Sequence, residues 1–332
     1  MFDTGVASPS LLSTLAALVA PTPADIHAAV ARLAGTAHRT PVLTSISLDA
    51  MAGATLFFKC ENFQKGGAYK FRGALNAVRL LTDEQARHGV VTHSSGNHAT
   101  CLALAARLRG IPAYIVVPRN APLIKQRAIA AYGGQLTLCE PTLAARQAEA
   151  DRIQRETGAT FIHPYDNPEV IAGQATIALE LLEQVPQLDA LVAPVSGGGL
   201  LSGLCLATHA LAPGIEVWGA EPARADDAFR SLREGKLLPN TDTTTIADGL
   251  RASLSERTFD IIREHVRGIV TVTEEQIISA MRLVWERMKL VVEPSGVVPL
   301  AAVFAAPEKF RGKRVGIIFT GGNVDLDKLP WQ

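Results

Sequence analysis

Ala190-Leu191-Val192-Ala193-Pro194-Val195-Ser196-Gly197-Gly198-Gly199-Leu200 is the segment on which the fold turns. Its first six residues form an apolar run too short for a helix and suited to a buried strand. The run breaks at Ser196 into three consecutive glycines, and a helix rich in small residues begins near Leu200. Strand, glycine turn and helix in that order predict a crossover unit of a parallel sheet. Residues without side chains let backbone N–H groups converge on an anion, and a helix N-terminus adds partial positive charge there. The segment reads either as a phosphate cup, in which a side chain at Gly198 would enter the phosphate's space, or as a tight turn. It has neither the Gly-Lys-Ser/Thr of a P-loop nor a Gly-x-Gly-x-x-Gly fingerprint, so it does not point to ATP or NAD.

The same alternation extends outward. Strands are predicted at 56–59, 90–92, 113–117, 215–220, 268–272 and 314–319. Helices are predicted at about 99–108, closed by Gly110, at about 123–131, ended by Gly133-Gly134, and at 274–289. Thr22-Pro23-Ala24-Asp25 has the form of an N-cap with proline at the first helical position, and Ile26, Ala29, Val30 and Leu33 follow at helical spacing. Short apolar strands separated by helices predict an α/β fold with open parallel sheets. No fixed-period repeat or low-complexity linker interrupts it.

Composition narrows the function classes. The chain has 332 residues, and its 32 Lys and Arg balance 32 Asp and Glu. A neutral chain has no field to gather polyanions, which argues against nucleic acid and acidic membrane as partners. With 48% hydrophobic and 19% charged residues it can build a large core. No apolar run approaches the ~18 residues of a membrane span. Leu11 to Ala20 is apolar but lacks the positively charged start of a signal peptide, since the first Lys or Arg is Arg32; it reads as a mobile arm or a packing helix. Cys60, Cys101, Cys139 and Cys205 are far apart, without zinc-ligand or disulfide-framework spacing, and a cytoplasmic location follows as the default.

Chemistry enters with Glu61-Asn62-Phe63-Gln64-Lys65-Gly66-Gly67-Ala68-Tyr69-Lys70-Phe71-Arg72-Gly73-Ala74. Lys70 lies where a turn becomes a helix. A lysine there, in an apolar pocket, loses proton affinity and becomes a nucleophile. Together with a phosphate cup it suggests a phosphate-bearing aldehyde held as a Schiff base.

The segment from Asn62 to Ala74 resembles the cofactor-lysine segment of the serine racemase and serine/threonine dehydratase family, pyridoxal-phosphate enzymes of fold type II, the tryptophan-synthase-β fold. Four further segments match in order: Ser94-Ser95-Gly96-Asn97-His98, Ser196-Gly197-Gly198-Gly199-Leu200, Ile246-Ala247-Asp248-Gly249-Leu250 and Gly321-Gly322-Asn323-Val324-Asp325. The resemblance runs from about Ala24 to Asp325. It implies pyridoxal 5'-phosphate as cofactor, with Lys70 as its covalent anchor and Phe71 beside it, while Tyr69 stands where the family usually has Phe. It implies Asn97 at the cofactor's ring hydroxyl and Ser94, Ser95, Asn97 and His98 around the substrate carboxylate. It also implies Ser196, Gly197, Gly198 and Gly199 around the phosphate, and Thr320 in place of the serine that faces the ring nitrogen. A hydroxyl leaves that nitrogen unprotonated, a weaker electron sink that suits elimination.

Glu221-Pro222-Ala223-Arg224-Ala225-Asp226-Asp227 is acidic enough to be a solvated loop. It is also similar to the divalent-cation site of the serine racemases, which implies Glu221, the carbonyl of Ala225 and Asp227 as hard-oxygen ligands for Mg²⁺ or Ca²⁺. His163, His209 and His265 show no ligand spacing.

The resulting expectation is an α/β enzyme with two open twisted parallel-type sheets and helices on both faces. A small domain of residues 90–158 is inserted between 1–89 and 159–332. The expected reaction is removal of water from a β-hydroxy amino acid such as L-serine or L-threonine, giving a 2-oxo acid and ammonia. The alternatives are serine racemisation, with Ser95 as proton donor on the face opposite Lys70, or a dehydratase for another 3-hydroxy amino acid such as hydroxyaspartate or phenylserine. A homodimer is the usual assembly of such folds.

Overall fold

Among the described residues, ten strands build two sheets. The computed structural model describes residues 19–94, 96–121 and 123–332. The apolar segment from Leu11 lies mostly outside them, as does Ser95. The strands are β1 (Val42–Leu43), β2 (Thr55–Cys60), β3 (Val90–His93), β4 (Ala113–Pro118), β5 (Gln135–Cys139), β6 (Thr160–Phe161), β7 (Ala190–Pro194), β8 (Glu216–Pro222), β9 (Gly268–Val272) and β10 (Arg314–Phe319). The six-stranded sheet has the order β1-β2-β10-β7-β8-β9, and the four-stranded sheet the order β5-β4-β3-β6. All pairings are parallel except the edge pair β1–β2. The smaller sheet draws its strands from residues 90–161, and its last strand lies just beyond the 90–158 span.

Both faces of the large sheet are covered, as near-continuous apolar strands require. Along β10, Val315, Ile317 and Phe319 enter one core with Leu56, Phe58, Val192 and the helix Pro294–Ala305. Ile318 enters the opposite core, with Leu191, Ala193 and the helices Pro168–Gln184 and Gly199–Leu211. The helix Lys70–Leu80 instead packs Phe71, Ala74, Leu75 and Val78 into the core of the small sheet. It also crosses the helix Pro168–Gln184 at a pair of glycines. A Cβ on Gly173 would lie 2.7 Å from the Arg72 carbonyl, so the backbones meet without intervening side chains.

Local signals explain several boundaries. Thr22 and Asp25 form a capping box at the helix Pro23–Leu33. Gly110 ends the helix Asn97–Arg109 in the left-handed conformation. The helix expected over 274–289 is regular only over Glu274–Leu283; Val284–Met288 form a π-helical turn that ends at Lys289, with φ 58°. Trp285, whose indole N–H donates to the Val292 carbonyl at 3.1 Å, ties that turn to the chain that follows. Among the described residues no helix is long and apolar enough to cross a membrane.

Candidate active site

Parallel pairing brings the site together. Phe319 is in register with Cys60, Ile317 with Val192, and Pro194 with Ala220. The carboxyl ends of these strands therefore lie along one edge of the sheet, with Glu61, Thr320 and Ser196 just beyond β2, β10 and β7 and Glu221 in the last residues of β8. That carboxyl edge is where open α/β sheets bind ligands.

Lys70 is fixed from two sides. The Tyr69 N–H donates to the Thr320 carbonyl at 2.9 Å, and Ala68 bridges to Gly321. Two residues beyond the lysine, the buried Arg72 guanidinium donates to Glu61 at 2.8 Å and to Glu180 at 2.6 Å, and Lys59 donates to Glu180 at 2.6 Å. Two cations and two carboxylates thus lock the first turn of the helix. The Lys70 ammonium has no carboxylate partner; it donates to the Pro164 carbonyl at 2.8 Å. Burial brings its pKa down to about 8.

The glycine turn opens the helix Gly199–Leu211. The N–H groups of Gly197, Gly198 and Gly199 donate to no other described residue, so they are free for an anion. This fits a phosphate. The Ser196 hydroxyl is engaged elsewhere: it accepts from the Ala252 N–H at 3.0 Å and donates to the Ala252 carbonyl at 3.2 Å. A Cβ at Gly198 would stand 2.6 Å from Cβ of Thr258, at a φ of +88°. Packing behind the loop thus by itself requires a glycine here. Gly198→Val is expected to cost roughly 2–4 kcal/mol, from overpacking plus backbone strain. A melting curve of the cofactor-free protein checks this, and an unchanged Tm with weakened cofactor binding would restore the intrusion account.

Asn97 begins its helix directly after the turn that holds Ser94, whose hydroxyl accepts the Gly96 N–H at 3.3 Å. Its amide donates to Glu293 at 2.8 Å and accepts from Asn323 at 2.9 Å. His98 is buried and donates from Nε2 to the Ile162 carbonyl at 3.2 Å. Burial and the nearby Lys70 bring its pKa down to about 3, and its Nδ1 is buried without a partner. Phe71 is fully buried, and Thr320 is buried at the end of β10. Lys125 pairs with Asp248, joining the helix Leu123–Ala131 to the turn Asp248–Leu250.

At the end of β8, Glu221 accepts the N–H groups of Ala228 at 3.2 Å and Phe229 at 2.9 Å. Burial, with Asp227 beside it, holds its carboxyl well above the usual range. Asp227 is pushed up to about 6 by burial; its Oδ2 accepts the Leu254 N–H at 2.9 Å, and its Oδ1 is buried without a partner. Ala225 is buried between them in sequence. Among the described residues no three His, Cys, Asp or Glu side chains cluster as a metal set, so a cation here would need backbone oxygens or water.

Three contributors were not read from the sequence: Glu293, Asn323 as a side chain, and Tyr165, against whose ring a Cβ on Gly197 would lie at 2.3 Å. Pro294 at the first helical position was the available signal for Glu293.

A family model spans most of the chain. The model for "Pyridoxal-phosphate dependent enzyme" matches residues 33–321. The chain belongs to the pyridoxal-phosphate-dependent enzymes. Within them it is 52% identical over 312 residues to a beta-hydroxyaspartate dehydratase of Paracoccus denitrificans (strain Pd 1222), covering 94% of this chain and 99% of that protein. A solved maize serine racemase superposes with a TM-score of 0.91 at 48% identity, covering 93% of this chain and 95% of that one. A solved threonine deaminase of T.th. superposes with a TM-score of 0.88 at 44% identity, covering 92% of this chain and 99% of that one. The expected fold type II architecture holds.

Proposed function

We propose that this pyridoxal-phosphate-dependent enzyme removes water from a β-hydroxy amino acid and releases a 2-oxo acid and ammonia. The observation that carries the reading is Lys70: an amine with its pKa brought down to about 8, free of any carboxylate, at the edge where the strand ends converge. The dehydratase and deaminase relatives support it.

When bound, pyridoxal phosphate supplies an electron-withdrawing ring that takes up the negative charge left at the substrate's Cα. The chain's residues do the rest. Lys70 would hold the cofactor covalently, and its amine, when free, would accept the substrate's α-proton. Gly197, Gly198 and Gly199 would hold the phosphate through their backbone N–H groups, with the Ser196 backbone at the start of the turn. Asn97 would donate to the ring oxygen, and Phe71, buried next to Lys70 in the core of the small sheet, would steady the lysine. The Thr320 hydroxyl would donate to the ring nitrogen. Ser94, Ser95, Asn97 and His98 would bind the substrate carboxylate. Loss of the α-hydrogen and the β-hydroxyl as water leaves an enamine, which takes up water to give the 2-oxo acid and ammonia.

The test is a panel of L-serine, L-threonine, 3-hydroxyaspartate and phenylserine, assayed for 2-oxo acid and for the opposite enantiomer. Turnover of none would end the reading. Racemisation is the second reading, supported by the 48% identity to maize serine racemase.

A divalent cation completes the proposal. Two buried carboxylates that lack a cationic partner, one with an orphaned oxygen, fit Mg²⁺ or Ca²⁺ held by Glu221, Asp227 and the Ala225 carbonyl. Saturating Mg²⁺ at a hundred times its Kd should stabilise the parent by about 2.7 kcal/mol, and Glu221→Ala should lose that gain. Melting curves with and without chelator check this. No chelator effect on the parent would reduce the segment to a loop.

A further inference from the structure

The motif Gly321-Gly322-Asn323 meets the buried carboxyl group of Glu293 beside Asn97. Glu293 occupies the N-cap of the helix Pro294–Ala305, but its side chain does not cap that helix. Only 4% of the residue is exposed, and it turns to other donors. Oε1 accepts Nδ2 of Asn97 at 2.8 Å, and Oε2 accepts the backbone N–H of Asn323 at 3.2 Å. The Asn323 side chain closes the circuit: its Nδ2 donates to Oδ1 of Asn97 at 2.9 Å and to the Gly66 carbonyl at 2.9 Å. Gly321 packs on the pair; a Cβ there would lie 2.5 Å from Glu293 Oε1 and 3.2 Å from Asn97 Nδ2.

An asparagine amide is nearly symmetric in shape, so only its partners decide which end is N–H and which is oxygen. Here both ends are decided. The Gly66 carbonyl can only accept, which fixes Nδ2 of Asn323 as a donor and turns Oδ1 of Asn97 toward it. Nδ2 of Asn97 is thereby turned to the other side, where Glu293 Oε1 accepts it. One Nδ2 hydrogen of Asn97 is left over. Burial, with the Asp248 carboxylate nearby, holds Glu293 up at about 8 even though the N–H groups of Asn97 and Asn323 favour its charged form. A buried carboxylate is costly to keep, and a neutral side chain would serve packing better.

We infer that Glu293 and Asn323 are positioning residues that lock the amide of Asn97 in the one orientation that presents its remaining N–H to the cofactor's ring oxygen. The inference rests on the assignment of Asn97 as a cofactor-binding residue. Glutamine at 293 has the same shape but would turn an NH₂ group toward one of the two donors, so the lock slips. Alanine at 323 removes the opposite restraint.

The test is the Kd of pyridoxal phosphate for the cofactor-free protein, with the visible band of the loaded protein as a second readout. Asn97→Ala, Glu293→Gln, Asn323→Ala and the two double variants containing Asn97→Ala are compared. Asn97→Ala should weaken binding roughly tenfold, as loss of one hydrogen bond would, and each positioning variant should weaken it by roughly three- to tenfold. Neither should weaken it further once Asn97 is alanine, and the band should shift in the same direction in all three single variants. Additive losses would overturn the inference while leaving Asn97 as a cofactor residue, as would unchanged binding in both positioning variants. Unchanged binding in Asn97→Ala would remove the assignment and the inference together. If Glu293→Gln melts too low to assay, the exposed Asn323 decides alone.

Discussion

Lys70→Ala is expected to lose every trace of covalently held cofactor and to lower turnover by roughly 10³-fold or more, since the anchor and the base disappear together. Borohydride reduction followed by mass measurement checks the first loss, and 2-oxo acid formation the second. Two other lysines among the described residues near this edge are already engaged. Lys59 is buried and bonded to Glu180, Gln184 and the Thr40 carbonyl, and Lys125 is paired with Asp248. A reducible link surviving in the variant would remove Lys70 from its role. The fold should persist, because the change deletes one hydrogen bond, to the Pro164 carbonyl, worth about 1 kcal/mol, and relieves a desolvated amine. The lowered proton affinity has its own consequence. Only the neutral amine attacks an aldehyde, so below pH 8 the rate at which the cofactor-free protein captures pyridoxal phosphate should fall about tenfold per pH unit. The midpoint should lie near 8. A midpoint near 10 would mean that the pocket does not desolvate the lysine.

How much of this was legible in the sequence depends on whether the signal is local. The strand and glycine turn at 190–199 were legible, because a short apolar run and three glycines allow few conformations. The left-handed stop at Gly110 was legible for the same reason. The helix Pro168–Gln184 was not read, although Asn167 caps it and Pro168 opens it. Residues 170–179 of that helix are all buried, so it presents no polar face from which a period could be counted. Strand β6 has two residues, too few to show any alternation. The site divides along the same line. Lys70 and the glycine turn stood out through their neighbours in sequence. Glu293 did not, because its meaning comes from Asn97, 196 positions away, and from a burial that only the assembled sheets create. The same limit applies to the lysine: its position was legible and a lowered proton affinity followed if its pocket were apolar, but the burial that meets that condition comes only from the assembled fold.

Ser95→Ala separates the two reactions that this site can support. A planar carbanion at Cα can be reprotonated from either face, and Lys70 serves one of them. Inversion needs a donor on the other face. Ser95, outside the described residues, is the candidate there because its hydroxyl can donate or accept and because the resemblance assigns it that side. Elimination from an L-amino acid needs the α-proton removed on the lysine side only. The variant should therefore lose D-enantiomer formation, and any elimination from D-substrates, by roughly 10²-fold or more. Elimination from L-substrates should survive in part, reduced because Ser95 also belongs to the turn assigned to the carboxylate. The measurement is the amount of D-amino acid and of 2-oxo acid formed from L-serine, in parent and variant. Equal losses of both products would mean that Ser95 only binds the carboxylate. A parent ratio of D-amino acid to 2-oxo acid well above one would make racemisation the main activity, because elimination from the same carbanion would then be the slower exit.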